Sequence, residues 1–202
     1  MIKTNVPLGH QALKAQRTRE KLINATIELI KEGGFAAASS SRIAQRVDMT
    51  WGAAQHHFRS KEEILEAILA LAYNRFIEVM DVPELHTGSM ADRIHHFVER
   101  MWVHYQSDYC WVSVEILLAT RGDETHPVRA WEQRRGRAHL KVIRDVFHDT
   151  KISDAKIREA LTFAHCCITG LSMENVFERK VRNLSTHLHH VKMALQIMLS
   201  GL

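Results

Sequence analysis

Proline, cysteine and long apolar runs are all scarce in this 202-residue chain, and each scarcity excludes something. Three prolines leave long stretches free to be helical, because a proline inside a helix removes a hydrogen bond and clashes with the turn before it. Three cysteines, Cys110 alone and Cys166 beside Cys167, form no C-x-x-C pair, so neither a disulfide framework nor a zinc finger is expected. No apolar run approaches the roughly 18 residues of a membrane span. The opening, MIKTNVPLGHQALKAQ, lacks the apolar stretch of a secretory signal. A cytoplasmic protein without a membrane partner is expected. Nucleophile motifs, phosphate loops and metal spacings are also missing, which leaves catalysis unsupported and no cofactor expected.

What is present is enough to build a core. Apolar residues make up 46% of the chain and charged residues 25%, the balance of an ordinary globular protein. The net charge of +4 is unevenly spread: residues 1–61 hold ten Lys and Arg against four Asp and Glu, and residues 62–202 hold seventeen against nineteen. A basic end on a near-neutral body points to a polyanion partner for that end.

No period-2 strand pattern stands out, and apolar residues recur at three and four through most of the chain, the helical period. The first helix is expected from about Ala15 to Glu32, closed by Gly33-Gly34, with Phe35 folding back on its last turn. Short helices follow at about Ser40 to Val47 and Trp51 to Phe58, around a tight turn at Val47-Asp48-Met49. Ser60 and Glu63 read as a capping box that opens a long helix to about Met80. Pro83 to Gly88 is a loop. Ser89 and Asp92 cap a helix striped with Ile94, Phe97, Val98, Met101 and Tyr105, and Asp108 starts another that ends near Gly122. Pro127 suits the first turn of a helix with Val128, Trp131, Ala138, Val142 and Val146. Ser153 caps the next, where Ile152 and Ile157 are spaced as a hydrophobic staple. The last runs from about Ser185 to Leu199. The expectation is all-α, about nine helices.

Two short helices joined by a tight turn and preceded by a third make a helix-turn-helix unit, whose second short helix enters the major groove. Ile43, Ala44, Val47 and Phe58 supply a small core. Ser39 to Ser41 put hydroxyls at a helix start, where free N–H groups favour a phosphate, and Arg42 adds charge. Thr50 can cap the recognition helix. Arg17 to Ile68, a quarter of the chain, resembles the N-terminal domain of the TetR family of transcriptional repressors. The resemblance is carried by Ala25, Gly34-Phe35, Ile43-Ala44, Thr50, Gly52, His57-Phe58, Lys61 and Leu65. It implies a homodimer on double-stranded operator DNA, with contacts from Ser40, Arg42, Thr50, Trp51, Gly52, Ala53, Gln55, His56 and Lys61. Three positions depart from the family pattern: Asp48 stands where glycine is usual, Gln55 where tyrosine is usual, and Trp51 where a polar or basic residue is common. Aspartate tolerates left-handed dihedrals, and glutamine can read adenine or bond a phosphate.

The expected division is a DNA-binding domain at 1–61, with an N-terminal arm at about 1–14, fused to a helical domain at 62–202 for ligand binding and dimerisation. In the body, His165 and Thr169 interrupt an apolar face, and Glu115 lies in the apolar run WVSVEILLA. With Met101, Tyr105 and Trp111 they are the expected contacts of a small-molecule effector, since a few polar groups orient a ligand in an apolar pocket. Each also reads as core or surface. The fourteen histidines include His56-His57, His95-His96 and the cluster His187, His189 and His190, but adjacent histidines on a helix diverge by about 100° and no i, i+4 pair lies within these clusters, so no metal site is expected. The leading reading is a ligand-responsive homodimeric repressor. An activator or ligand-independent regulator, or a helical carrier or enzyme with a vestigial helix-turn-helix, are the alternatives.

Overall fold

The computed structural model describes residues 9–122, 140–178 and 180–200. Among the described residues every regular element is helical: α1 (His10–Gly33), α2 (Ser40–Arg46), α3 (Trp51–Ala54), α4 (Lys61–Met80), α5 (Met90–Tyr105), α6 (Asp108–Thr120), α7 (residues 140–146), α8 (Asp154–Glu178) and α9 (Leu184–Leu199). Short 3-10 turns lie at Phe35–Ala37 and Pro83–Leu85. The all-helical expectation holds. Pro127, Val128, Trp131 and Ala138 lie outside the described residues. No described helix is long and apolar enough to cross a membrane.

Helix ends follow local chemistry, with corrections at α4 and α1. Ser89 and Asp92 form the full capping box at α5: the Ser89 Oγ accepts the Asp92 N–H at 3.2 Å, and the Asp92 carboxylate accepts the Ser89 N–H at 3.1 Å. At α4 only the serine half is made as expected, with the Glu63 N–H donating to Ser60 Oγ at 3.4 Å. The Glu63 carboxylate reaches one residue further back, to the Arg59 N–H at 3.0 Å. The second correction is the start of α1 at His10 rather than near Ala15. His10 to Lys14 include the strong helix formers Gln, Ala, Leu and Lys and no breaker, so nothing stops the helix from beginning earlier.

The chain divides into two compact units. One comprises the described residues to Ala70 together with Val112 to Gly122, and the other Leu71–Trp111 with the described residues from 140 onward. In the second unit, α5 packs on both α8 and α9. Ile94, Phe97, Val98 and Met101 from α5 share a core with Val146, Phe147, Ile157, Ala164, Ile168, Leu188, Val191 and Leu195. The staple is in place: Ile157 is fully buried, and Ile152 packs against the same core.

Arg93 sits on this apolar face, one turn before Phe97, and is only 2% exposed. A buried guanidinium is costly unless paired. Arg93 donates through Nη1 to the Val146 carbonyl at 3.0 Å and through Nη2 to both oxygens of Asp149 at 2.7 and 2.6 Å. One side chain thereby ties α5 to the end of α7. The hydrogen bond from Arg93 holds the Asp149 carboxyl below its ordinary value of 3.8. A depressed carboxyl contributes stability above its unfolded value and loses it as pH falls through the folded one. Asp149→Asn is therefore expected to lower the unfolding midpoint at neutral pH, with its deficit shrinking as pH drops below about 3.8. Urea unfolding of both proteins at neutral and acid pH checks this, and a deficit that does not change with pH would show that the ion pair contributes nothing.

Candidate nucleic-acid interface

The first unit is organised around α1. Its inward face buries Leu22, Ile23, Ala25, Thr26, Ile27, Leu29 and Ile30. Gly34 ends the helix with φ 72° and donates its N–H to Ile30 at 2.8 Å, a left-handed closure that glycine adopts without strain. The chain then returns through the Phe35–Ala37 turn so that α2 packs on α1 and α3 on α2. Arg46 locks α2 in place with a forked pair to Glu32, Nη1 to Oε1 at 2.8 Å and Nη2 to Oε2 at 2.6 Å. Its hydrogen bond lowers the Glu32 carboxyl below its usual range.

Between α2 and α3 the chain turns at Asp48, whose φ is 55°. The left-handed turn expected there is present with aspartate in place of glycine. Thr50 caps α3, its Oγ1 accepting the Ala53 N–H at 3.2 Å. Ser39 caps α2, accepting the Arg42 N–H at 3.4 Å. The helix expected to enter the groove, α3, is shorter than its spacing predicts. Its α-helical part stops at Ala54, and the chain continues through a tightened turn in which the His57 and Phe58 N–H groups both bond the Ala54 carbonyl. That turn is braced from α1 by Arg19, which donates to the His57 carbonyl and stacks its guanidinium 3.7 Å from the centroid of the buried Phe58 ring. Sequence reasoning missed Arg19 because a basic residue on a helix reads as solvated until its partner, 38 residues away, is known.

With Ile43, Ala44, Ala54 and Phe58 turned inward, the outer face carries Arg42, Thr50, Gly52, Gln55 and His56, all exposed, with Ser40, Trp51 and Ala53 half-buried beside them. From Gly33 to Lys61 the only acidic residue is Asp48, against Arg42, Arg46, Arg59 and Lys61. A Cβ on Gly52 would meet nothing within 4 Å, so the surface is open there. The Gln55 amide touches the Arg59 carbonyl at 3.4 Å, a long contact that leaves the side chain accessible. Lys61 is half-buried, with Nζ 4.1 Å from the Phe35 ring centroid, and burial pushes its ammonium below the ordinary lysine value while Glu62 pulls the other way.

The family model described as bacterial regulatory proteins, tetR family, matches residues 22–68. The match covers about a quarter of the chain, the segment that holds α2, α3 and the start of α4. Over 62 residues it is 39% identical to the HTH-type transcriptional regulator UidR of Escherichia coli (strain K12), a stretch covering 31% of this chain and 32% of that protein. Over 59 residues it is 37% identical to the regulator SrpR of Pseudomonas putida, covering 29% of this chain and 28% of that protein. The chain thus spans about a third or less of the length of these curated regulators. Solved structures extend the likeness of fold. Salmonella enterica GusR superposes with a TM-score of 0.70 at 21% identity, covering 91% of this chain and 96% of its own. The multidrug binding protein EbrR complexed with imidazole superposes at 0.67 and 14% identity, covering 90% and 94%.

Of the residues expected at a ligand site, Met101, Tyr105, Trp111, His165 and Thr169 belong to the second unit and Glu115 to the first. Tyr105 and His165 meet: the phenol oxygen bonds His165 Nδ1, with the rings edge-on and centroids 5.6 Å apart. Met101 is buried, Trp111 and Thr169 are half-buried, and His165 is exposed. The Thr169 hydroxyl is buried without a hydrogen-bond partner among the described residues. Gln106, Ser172 and Asn175 were missed. Ser172 donates to the Tyr105 carbonyl at 2.9 Å, and Gln106 joins Ser172 to Asn175. Glu115 accepts the Phe35 N–H at 3.1 Å. No three His, Cys, Asp or Glu side chains among the described residues gather as a metal site.

The turn and cap fix α3, so they set a stability test. Asp48→Val forces a branched side chain into a left-handed conformation and should cost about 1–2 kcal/mol. Thr50→Ala should cost about 1 kcal/mol, whereas Asp48→Gly should be nearly neutral. Urea unfolding of the three variants checks the order; an Asp48→Val protein as stable as the parent would contradict the turn.

Proposed function

We propose that this chain is a sequence-specific DNA-binding transcriptional regulator, acting as a homodimer whose operator affinity is lowered by a small molecule. The observation that carries the DNA reading is the outer face of α2 and α3. It is almost free of acid, open at Gly52, and armed with the exposed amide of Gln55, the imidazole of His56 and the guanidinium of Arg42. Phosphate contacts from Ser40, Arg42, Thr50 and Lys61 would set the register, and Trp51, Gly52, Ala53, Gln55 and His56 would lie against the groove. In this reading residues 1–61 bind DNA and residues 62–202 regulate and dimerise.

The dimer reading is supported by apolar side chains left outside on the last two helices. On α8 these are Phe163, Met173, Val176 and Phe177, the last 72% exposed, and on α9 Met193 and Ile197. Spacings of ten and fourteen from Phe163 bring Met173 and Phe177 to one face, and four separates Met193 from Ile197, so each helix offers a stripe that a second copy would cover. The effector reading is supported by the Tyr105–His165 pair and by the Thr169 hydroxyl, which has no hydrogen-bond partner among the described residues, with Met101 and Trp111 in the same unit. A polar group left unpaired in a protein interior calls for a partner. An effector would change DNA affinity only by binding one conformation better than another.

Light scattering at micromolar concentration should give the mass of a dimer, and a monomer that persists with DNA present would remove the mechanism. Affinity for duplex DNA should fall steeply with salt. Lys61→Ala should weaken all duplexes alike and reduce the salt slope by about two per dimer, one for each lost phosphate contact. Gln55→Ala should instead cost on the order of 1–3 kcal/mol at the matched site and relax specificity at one position of each half-site. Lys61→Ala with affinity and slope unchanged would strike Lys61 from the interface.

A further inference from the structure

Phe35 is held from two directions inside the first unit. Its N–H, the first donor of the Phe35–Ala37 turn, is bonded by the Glu115 carboxylate of α6 at 3.1 Å, although 80 residues separate them in sequence. Its ring carries the Lys61 ammonium of α4 at 4.1 Å. The residue before it, Gly34, is in the left-handed conformation, and a Cβ there would stand 3.5 Å from the same Glu115 oxygen. We infer that Glu115 is a positioning residue for Lys61: by bonding the Phe35 backbone it sets the ring on which the lysine rests, and so presents the ammonium to a DNA phosphate. The inference rests on the reading of Lys61 as a phosphate ligand.

The chemistry of each link is ordinary. A carboxylate on the leading N–H of a helical turn is a charge-assisted bond to a donor that the turn itself cannot satisfy. An ammonium over an aromatic face is attracted by the ring quadrupole. Lysine is a point charge on a flexible stem, and a stem already settled against a ring loses less freedom when a phosphate arrives. Without the Glu115 acceptor, the Phe35 N–H is left half-buried and unpaired, the turn shifts, and Lys61 must be ordered by the DNA alone.

The test uses the full chain with isotope-labelled lysine. In the parent, the Lys61 methylene protons next to the ammonium should be displaced upfield by the Phe35 ring current. Phe35→Leu should abolish that displacement, Glu115→Ala should largely remove it, and Glu115→Gln, which keeps an acceptor oxygen, should restore most of it. DNA titrations supply the second arm. Glu115→Ala and Phe35→Leu should each weaken binding by about two- to tenfold per protomer, and both effects should vanish in a Lys61→Ala background. A Lys61 signal indifferent to Glu115→Ala, or a DNA penalty equally large with and without Lys61, overturns the inference. If Glu115→Ala does not fold, Phe35→Leu decides alone: a Lys61 contribution to binding undiminished by loss of the ring overturns it. The spectroscopic arm needs no DNA, so its failure is separable from failure of the phosphate reading, which shows as an unchanged salt slope in Lys61→Ala.

Discussion

A four-residue helix cannot hold its own shape or direction, because isolated helices shorter than roughly a dozen residues are marginal in water. The element proposed to face the groove is such a helix, Trp51–Ala54, and the rest of the first unit holds it in place. The Asp48 turn and the Thr50 cap fix its start. The burial of Ala54 and Phe58 fixes its inner side. Arg19 closes its end by satisfying the His57 carbonyl and covering the Phe58 ring. Arg46 and Glu32 hold the helix against which it packs. The proposed role of Gln55 as a base reader requires that it arrive at the groove in one orientation, and these contacts hold the helix that carries it.

Local signals were legible in the sequence and distant ones were not. The left-handed turn at Asp48, the caps at Thr50, Ser89 and Ser153, and the apolar stripe of α5 all depend on residues a few positions apart. Periodicity tells which face of a helix is apolar, but not what that face meets. Arg93 lies on the buried stripe of α5 beside Phe97, yet its partner Asp149 is 56 residues on. Glu115 in an apolar run reads as an effector contact or an exposed edge, whereas it accepts the Phe35 N–H, 80 residues earlier. The end of α3 was misjudged for a related reason. Phe58 looks like one more turn of helix by spacing, whereas the structure reaches it through a tightened turn braced from α1.

In the second unit α5 has the corresponding role. One face shares the core with α8 and α9, Arg93 at its start fastens the end of α7, and Tyr105 at its end meets His165 on α8. A dense core with a polar seam along the α5–α8 contact is the kind of packing in which a bound molecule can favour one arrangement over another, because packed interfaces switch between discrete states rather than deform continuously. The apolar stripes left on α8 and α9 lie away from that shared core, so the proposed dimer contact and the proposed effector contacts use different side chains.

Selection from a random duplex library tests the central claim most directly, that two copies of the first unit read DNA as a symmetric pair. The purified protein is mixed with the library, bound duplexes are recovered through several rounds, and the pool is sequenced. Enrichment of an inverted repeat, with half-sites centred about one helical turn apart or a multiple of it, is the predicted result. A pool that stays random, or that enriches a single half-site with no symmetric partner, would contradict it.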